Sequence, residues 1–199
     1  MNFLEEVLKK RRSVRKLSSG KIVSDERIKE IVEFVYTYSP SAFNAQEHRA
    51  VVLLNDSHKK FWDIVKEALK KIVTDSKIFE KTEEKLNGFY NGYGTILFFI
   101  DTETVKKLEK AFTNYKDFFT TWANHGEGIA QILLWILLEN EGLGASIQHY
   151  NPIIDNEVKR VFDIPQTWEL VAQMPFGKPN EELKDKTFLP IEQKVIIKQ

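Results

Sequence analysis

A layered domain of mixed helix and strand around one buried sheet, α+β or α/β, is predicted for this chain by three observations. Two compact apolar runs, Ala50–Leu54 and Gly94–Ile100, read as strands buried on both faces. Helical stripes with polar opposite faces alternate with them. One long stretch, Trp122–Asn140, is apolar on nearly every side from Ile129 onward, with Gln131 its main interruption. Such a helix belongs at the centre of a fold.

Leu4, Val7 and Leu8 recur at helical spacing and predict a short first helix. Ser24 is a capping residue followed by Asp25 and Glu26, acids where the helix macrodipole favours them. Ile28, Ile31, Val32 and Val35 then form the stripe of a second helix running to about Tyr36. Pro40 and its small polar neighbours break it, so Ser39–Gln46 is a loop rich in donors and acceptors. The strand Ala50–Leu54 ends at Asn55-Asp56-Ser57 and feeds a helix from about Lys59 to Ile72. A polar helix is expected over Asp75–Tyr90, and Asp101 closes the strand Gly94–Ile100. Gly142 and Gly144 end the long helix. Leu143–Gln148 and Glu169–Met174 read as further strands separated by a helix around Ile153–Phe162. In the polar tail beyond Leu189-Pro190, Val195-Ile196-Ile197 has the content of a strand that needs a sheet edge, one that a second subunit could offer. Fraying is the alternative.

The 199 residues, 42% of them hydrophobic, suffice for one well-cored domain spanning 1–199, or for a protomer whose core continues into a partner. Lys+Arg and Asp+Glu balance at 29 each, so no global field draws the chain to nucleic acid or anionic lipid. The absence of cysteine removes disulfides, thiol nucleophiles and Cys-ligated zinc, and fits a reducing compartment. The acidic N-terminus is not a secretory signal. The longest apolar run, Ile132–Leu138, falls far short of a membrane span. A soluble, cytoplasmic protein is expected.

Most familiar chemistries fail on the residues. Gly126-Glu127-Gly128-Ile129-Ala130-Gln131 approaches a dinucleotide-binding glycine turn, but Gln131 occupies the third glycine position and no convincing strand precedes it. Close helix packing explains these glycines better. No Walker motif is present, and His48, His58, His125 and His149 lack zinc-ligand spacing, so no metal site is expected. Ser13 and Ser41 lack a glycine elbow.

What is left is binding chemistry. Arg11-Arg12-Ser13-Val14-Arg15 concentrates guanidinium forks and a hydroxyl as a bound phosphate requires, although a solvated charge run has the same composition. Ser41, Asn44 and Gln46 in one loop, and Gln148, His149, Tyr150 and Asn151 after a strand, supply neutral donors and acceptors without an obvious acid, base or nucleophile. That suits a protein that positions a cofactor whose own ring reacts. For Gln148 and His149, loop capping is the competing role. Phe112, Tyr115, Phe118, Phe119 and Trp122 form an aromatic face at helical spacing, of the kind that usually joins a core and otherwise lines a site for flat rings.

Four segments taken together resemble the nitroreductase family of FMN-dependent oxidoreductases. They are Arg11–Arg15, Ser39–Gln46, Gly142–Pro152 and Met174–Pro179, in the family's order, and the Gln148-His149-Tyr150-Asn151-Pro152 block looks like its short, fungal-type branch. The resemblance implies an α/β/α sandwich with a central, mostly antiparallel sheet, and a homodimer with C-terminal strand exchange and two FMN molecules at the interface. Carried over by position, Arg11, Arg12, Ser13 and Arg15 hold the ribityl phosphate and the pyrimidine edge of the flavin. The loop from Ser41 and Ala42 through Asn44 to Gln46 meets the isoalloxazine from the opposite subunit. Ile147, Gln148 and His149 lie along the ring near N5, and Lys178 completes the phosphate site. Lys186 matches a basic position near the C-terminus, while Phe188 stands where many relatives carry arginine.

No catalytic side chain is implied, because the flavin carries the chemistry. NADH or NADPH, a transient reductant, gives hydride to N5, and nitroaromatic or quinone-type acceptors take the electrons in turn by a ping-pong mechanism. The branch is associated with oxidative and metal stress. The alternative is an FMN-binding redox or stress-sensing protein with little turnover. A nucleic-acid or partner-binding module using the arginines is a third reading, against which the neutral net charge counts.

Overall fold

The computed structural model describes residues 2–199, and its sheet is organised around the strand β3 (Gly94–Asp101). Seven of its eight residues are buried, because helices cover both faces of the sheet. Side chains alternate across a strand, so Ile96 and Phe98 enter one core and Leu97 and Phe99 the other. The first core is closed by the helices α2 (Asp25–Tyr38) and α6 (Phe119–Asn140), through Ile28, Ile31 and Val35 and through Ala130, Leu134 and Leu138. The second is closed by α3 (Asn55–Lys70), α4 (Ser76–Tyr90) and α7 (Asp155–Val161), through Phe61, Trp62, Val65, Phe89 and Val158. An α/β/α sandwich results.

The sheet contains β1 (Leu17–Ser18), β2 (His48–Leu54), β4 (Gly144–Ala145) and β5 (Trp168–Pro179) besides β3. Its order is β1-β5-β3-β2, with β4 also on β5, and every ladder between these strands is antiparallel. The helices α1 (Phe3–Lys10) and α5 (Thr102–Ala111) complete the element order. α1 starts on a capping box formed by Asn2 and Glu5, and α2 on the Ser24 hydroxyl, which accepts from the Arg27 amide.

Several expected boundaries move for local reasons. The expected strand Leu143–Gln148 shrinks to Gly144–Ala145, because Leu143 belongs to the end of α6: its amide donates to Leu138 O (2.9 Å) and the Gly142 amide to Glu139 O (2.9 Å). Gly142 supplies the positive φ, 80°, that this Schellman closure requires. Ser146 leaves the ladder, and Gln148 rejoins the sheet as a bridge to Gln173. The expected strand Glu169–Met174 extends at both ends, to Trp168 and Pro179. Within this single chain Val195–Ile197 forms no strand; these side chains are exposed, and the nearest regular element is a 3-10 turn at Ile191–Gln193.

His58 is structural. Its Nε2 faces Tyr90 O (3.1 Å) and its Nδ1 faces the Thr95 hydroxyl (2.8 Å), which also accepts from Trp62 Nε1 (2.9 Å). Donors and acceptors balance when the ring is neutral, with Nε2–H donating and Nδ1 accepting. Burial pushes its pKa down to about 4.

Candidate active site

The arginine segment leaves α1 and runs beside β4. Ser13 makes a parallel bridge to Ala145, and the Val14 amide donates to Ala145 O (3.0 Å). Val14 is buried and anchors the segment; Gly144 permits its approach, since a Cβ there would lie 2.9 Å from Val14 Cβ. Three residues beyond β4, Gln148 exchanges backbone hydrogen bonds with Gln173 (2.7 and 2.9 Å), and its side-chain amide donates to the buried Ser146 hydroxyl (3.1 Å). Gln173 in turn accepts from the Tyr150 amide (2.8 Å) and donates to Asn151 Oδ1 (3.1 Å). Ile147 is half-buried against the first core, and His149 is exposed. Ser18 of β1 pairs with Lys178 of β5, which places a further cation beyond the arginines.

The chain then doubles back across this segment. The Asn180 amide donates to Lys16 O (2.9 Å), the Glu181 carboxylate accepts from the amides of Arg15 and Lys16, and Arg12 Nη2 donates to Lys184 O (3.1 Å). Lys186 follows in the same stretch, but its ammonium packs over Phe188, 5.3 Å from the ring centroid. Arg11 differs from its neighbours. Its guanidinium lies 4.2 Å over the Trp135 ring, and its Nε is buried without a protein partner. Burial outweighs the attraction of Glu139 and lowers its pKa.

The Ser41–Gln46 loop stands elsewhere. Ser41 Oγ accepts from the Gln46 amide (3.0 Å) around a 3-10 turn at Ala42–Asn44, and Phe43, Asn44 and Gln46 all adopt positive φ (58°, 51° and 53°). Pro40 rests near Gly126, where a Cβ would come within 2.5 Å of His48 Cε1, so close packing does explain this glycine. Gly128 has open space around it, and no packing among the described residues accounts for it. Gly126 and Trp135 are nine residues apart on α6, about 14 Å along its axis. Arg11 and the loop therefore sit at separate stations along α6.

Beside the loop, the aromatic face divides between its two roles, Phe119 joining the core and Trp122 lining a cleft. Phe119 is buried, but Phe112, Tyr115 and Phe118 are exposed and gather with Trp122 around the exposed Phe43, whose ring stacks at 6.1 Å and 21° on Trp122. A cleft of about 430 Å³ opens here, with Ser41, Phe43, Trp122 and His125 in its walls. It is open, apolar and wide enough for a flat ring.

The nitroreductase family model matches residues 8–178. The chain belongs to the nitroreductase family. Nitroreductase FRM2 of Saccharomyces cerevisiae is 33% identical over 162 residues, which are 81% of this chain and 79% of that protein. Nitroreductase CinD of Lactococcus lactis, solved in complex with nicotinic acid, superposes with a TM-score of 0.89 at 36% identity, covering 98% of this chain and 99% of CinD. The CinD complex with 4-nitrophenol gives 0.88 at 35%, with the same coverage. This nitroreductase-family oxidoreductase has no described helix long and apolar enough to cross a membrane.

Two groups near these segments escaped the sequence reading. Lys85 of α4 lies 5.7 Å over both the Phe89 and Tyr150 rings, and burial together with the charge of Arg15 lowers its pKa. Under the Ser41–Gln46 loop, Glu47, His48 and Glu127 are all buried. Glu127 was legible: with Ala123, Ala130, Leu134 and Leu138 it falls on the buried face of α6.

Proposed function

We propose that this chain is an FMN-dependent oxidoreductase that takes electrons from NAD(P)H and passes them to small aromatic acceptors of the nitroaromatic or quinone type. The observation that carries this reading is Arg11, a half-buried guanidinium stacked on Trp135 with Nε lacking a protein partner, beside the Ser13–Ala145 bridge and within the same segment as Arg12 and Arg15. A desolvated cation of this kind is stabilised by an anion, and a phosphate suits its fork. Arg12, Ser13, Arg15 and Lys178 would complete the phosphate end, with Lys186 joining if its side chain leaves Phe188. Ile147, Gln148 and His149 would flank the ring. Bound FMN supplies two-electron chemistry, so that reductant and acceptor visit in turn. The protein's contribution is to bind, orient and exclude water; the cleft beside Phe43 and Trp122 supports stacking of a flat acceptor there. That CinD binds nicotinic acid and 4-nitrophenol supports the same class of visitor.

The separation of Arg11 and the loop, which pack on stations about 14 Å apart along α6, supports a site shared by two protomers. α6 is apolar nearly all round, yet Ile129 is exposed and Ile132, Leu133, Ile136 and Leu137 are only half-buried. Such a face asks for a partner helix. The tail adds Phe188, Leu189, Ile191, Ile196 and Ile197, each more than 60% exposed, and these suit a strand or strap laid on a second subunit. A chain ending at Thr187 is expected to sediment as a monomer and to lose FMN; a truncated chain that stays dimeric would sink the exchanged tail.

The function itself is tested by anaerobic mixing with NADH or NADPH. The yellow protein should bleach within a catalytic turnover and recolour on adding 4-nitrophenol or a quinone. Bleaching too slow for turnover would support the stress-sensing alternative instead, and a colourless protein that binds no FMN would overturn both.

A further inference from the structure

Glu127, Tyr36, Glu47 and His48 form a buried cluster that neither the phosphate end nor the aromatic cleft employs. Glu127 on α6 is fully buried, Glu47 and His48 at the start of β2 nearly so. His48 Nε2 lies 3.4 Å from Glu47 Oε1. The Tyr36 hydroxyl, from α2, lies 3.1 Å from Glu127 Oε1 and 3.2 Å from the Arg49 carbonyl oxygen. A hydroxyl has one proton and can satisfy only one of two acceptors. If that proton goes to Arg49 O, the Glu127 contact is completed only when Glu127 carries its own proton and donates to Tyr36. Geometry thus asks for a neutral acid at Glu127. Burial, opposed by His48 and Tyr36, pushes its pKa in the same direction, up to about 8.

The cluster lies under both ends of the Ser41–Gln46 loop. At one end Pro40 faces Gly126, next to Glu127. At the other, Arg49 Nη1 donates to Gln46 O (2.6 Å) and His48 O (2.8 Å), while Arg49 Nη2 pairs with Asp101 (3.2 Å) and the Arg49 carbonyl meets Tyr36. Between these anchors the loop holds three non-glycine residues in the left-handed region. Such conformations persist only when the surroundings over-determine them.

We propose that Glu127, Tyr36, Glu47 and His48 are positioning residues that keep the Ser41–Gln46 loop in its strained form, and that loss of the proton shared between Glu127 and Tyr36 releases it. Ionisation of Glu127 draws the Tyr36 proton away from Arg49 O and places a second buried carboxylate in the cluster with Glu47. The groups facing Glu127 are Tyr36 from α2, His48 of β2 and Glu47 just before it; the Arg49 guanidinium is turned to Asp101 and the Gln46 and His48 carbonyls, and His125 on α6 is exposed. That the loop serves the acceptor site rests on the proposed function; that the cluster controls the loop does not.

Hydrogen exchange of the full-length protein as purified, followed by mass spectrometry over residues 41–46 and corrected for intrinsic rates, tests this. Protection in the wild type is expected to fall about tenfold between pH 7 and pH 9. Glu127→Gln, which has similar shape and cannot ionise, should hold it level within about twofold. Tyr36→Phe, which conserves the ring, should show low loop protection at every pH with α6 still protected. If Glu127→Gln does not fold, Tyr36→Phe decides alone. A level wild-type profile, a Glu127→Gln profile that follows the wild type, or a Tyr36→Phe loop protected like the wild type overturns the inference. Bound flavin in the same preparation reports separately on the proposed function.

Discussion

Replacing Arg11 with alanine is expected to weaken FMN by about tenfold to a hundredfold and to leave riboflavin, which lacks the phosphate, nearly unaffected. A hydrogen bond to a charged group is worth about 1.5 to 3 kcal/mol, which sets that range. Arg11 should show it most cleanly, because its guanidinium stacks on Trp135 and its Nε makes no internal bond to be lost. Arg15→Ala should discriminate in the same direction, since its links to Glu181 run through the backbone amide and survive truncation. Arg12→Ala should be less selective. Its Nη2 holds Lys184 O, so truncation also loosens the returning tail and both ligands should suffer. Titration of each ligand against flavin-free protein, by quenching of flavin fluorescence, measures all three ratios. Equal losses of FMN and riboflavin for Arg11→Ala would mean that the arginine supports the fold and binds no phosphate.

The sequence carried the sandwich where periodicity was long and punctuation strong. The α2 stripe from Ile28 to Val35 behind Ser24, the apolar run of β3 and the Gly142 closure of α6 are each a local physical rule obeyed. Two-residue strands such as β1 and β4 have no pattern to read, because their pairing is decided by β5. α5 was readable and went unread: Asp101 closes β3 and also caps Glu103 N, and Val105 and Leu108 pack inward. β5 runs on through Pro175 to Pro179, residues that argue against a strand, because β3 and β4 pair with this stretch and Pro175 O still accepts from the Ser146 amide (3.3 Å).

The candidate site was legible as composition and illegible as geometry. Arginines, loop amides and Gln148 could be listed from the chain, but the 14 Å along α6 that separates Arg11 from the loop is a property of packing. The aromatic face shows the same limit. Phe112, Tyr115 and Phe118 have the spacing of core residues but stay exposed; Phe112 and Tyr115 pack on the outward-reaching Phe43, and only Trp122 of this face joins Phe43 in the wall of the open cleft.

Glu127→Gln should change the pH dependence of stability more than any other single substitution in this chain. In the folded protein Glu127 titrates at about 8, against 4.5 for a free glutamate. Between those values the folded state keeps a proton that the unfolded state has lost. Stability therefore falls as pH rises, by up to about 1.4 kcal/mol per pH unit. His58 acts oppositely: neutral when folded down to about 4, against 6.5 when free, it contributes stability that is lost as pH falls through that window. From about pH 4.5 to 6.5 the two slopes cancel. Above that range His58 is neutral in both states and Glu127 acts with His48. The His48 ring is raised because Glu47, Glu127 and the Ala123 carbonyl outweigh its burial, so its stabilisation is also lost as pH rises. The wild type should thus show a plateau in its urea midpoint over mildly acidic pH and a steep decline towards pH 8. Glu127→Gln removes the Glu127 contribution and weakens that of His48, which Glu127 helps to raise, leaving a rise from pH 4 to 6.5 and a gentler decline afterwards. Relative to the wild type, the variant should gain roughly 3 to 5 kcal/mol between pH 4.5 and pH 8. An offset that stays constant across this range would assign Glu127 a packing role with no proton behind it.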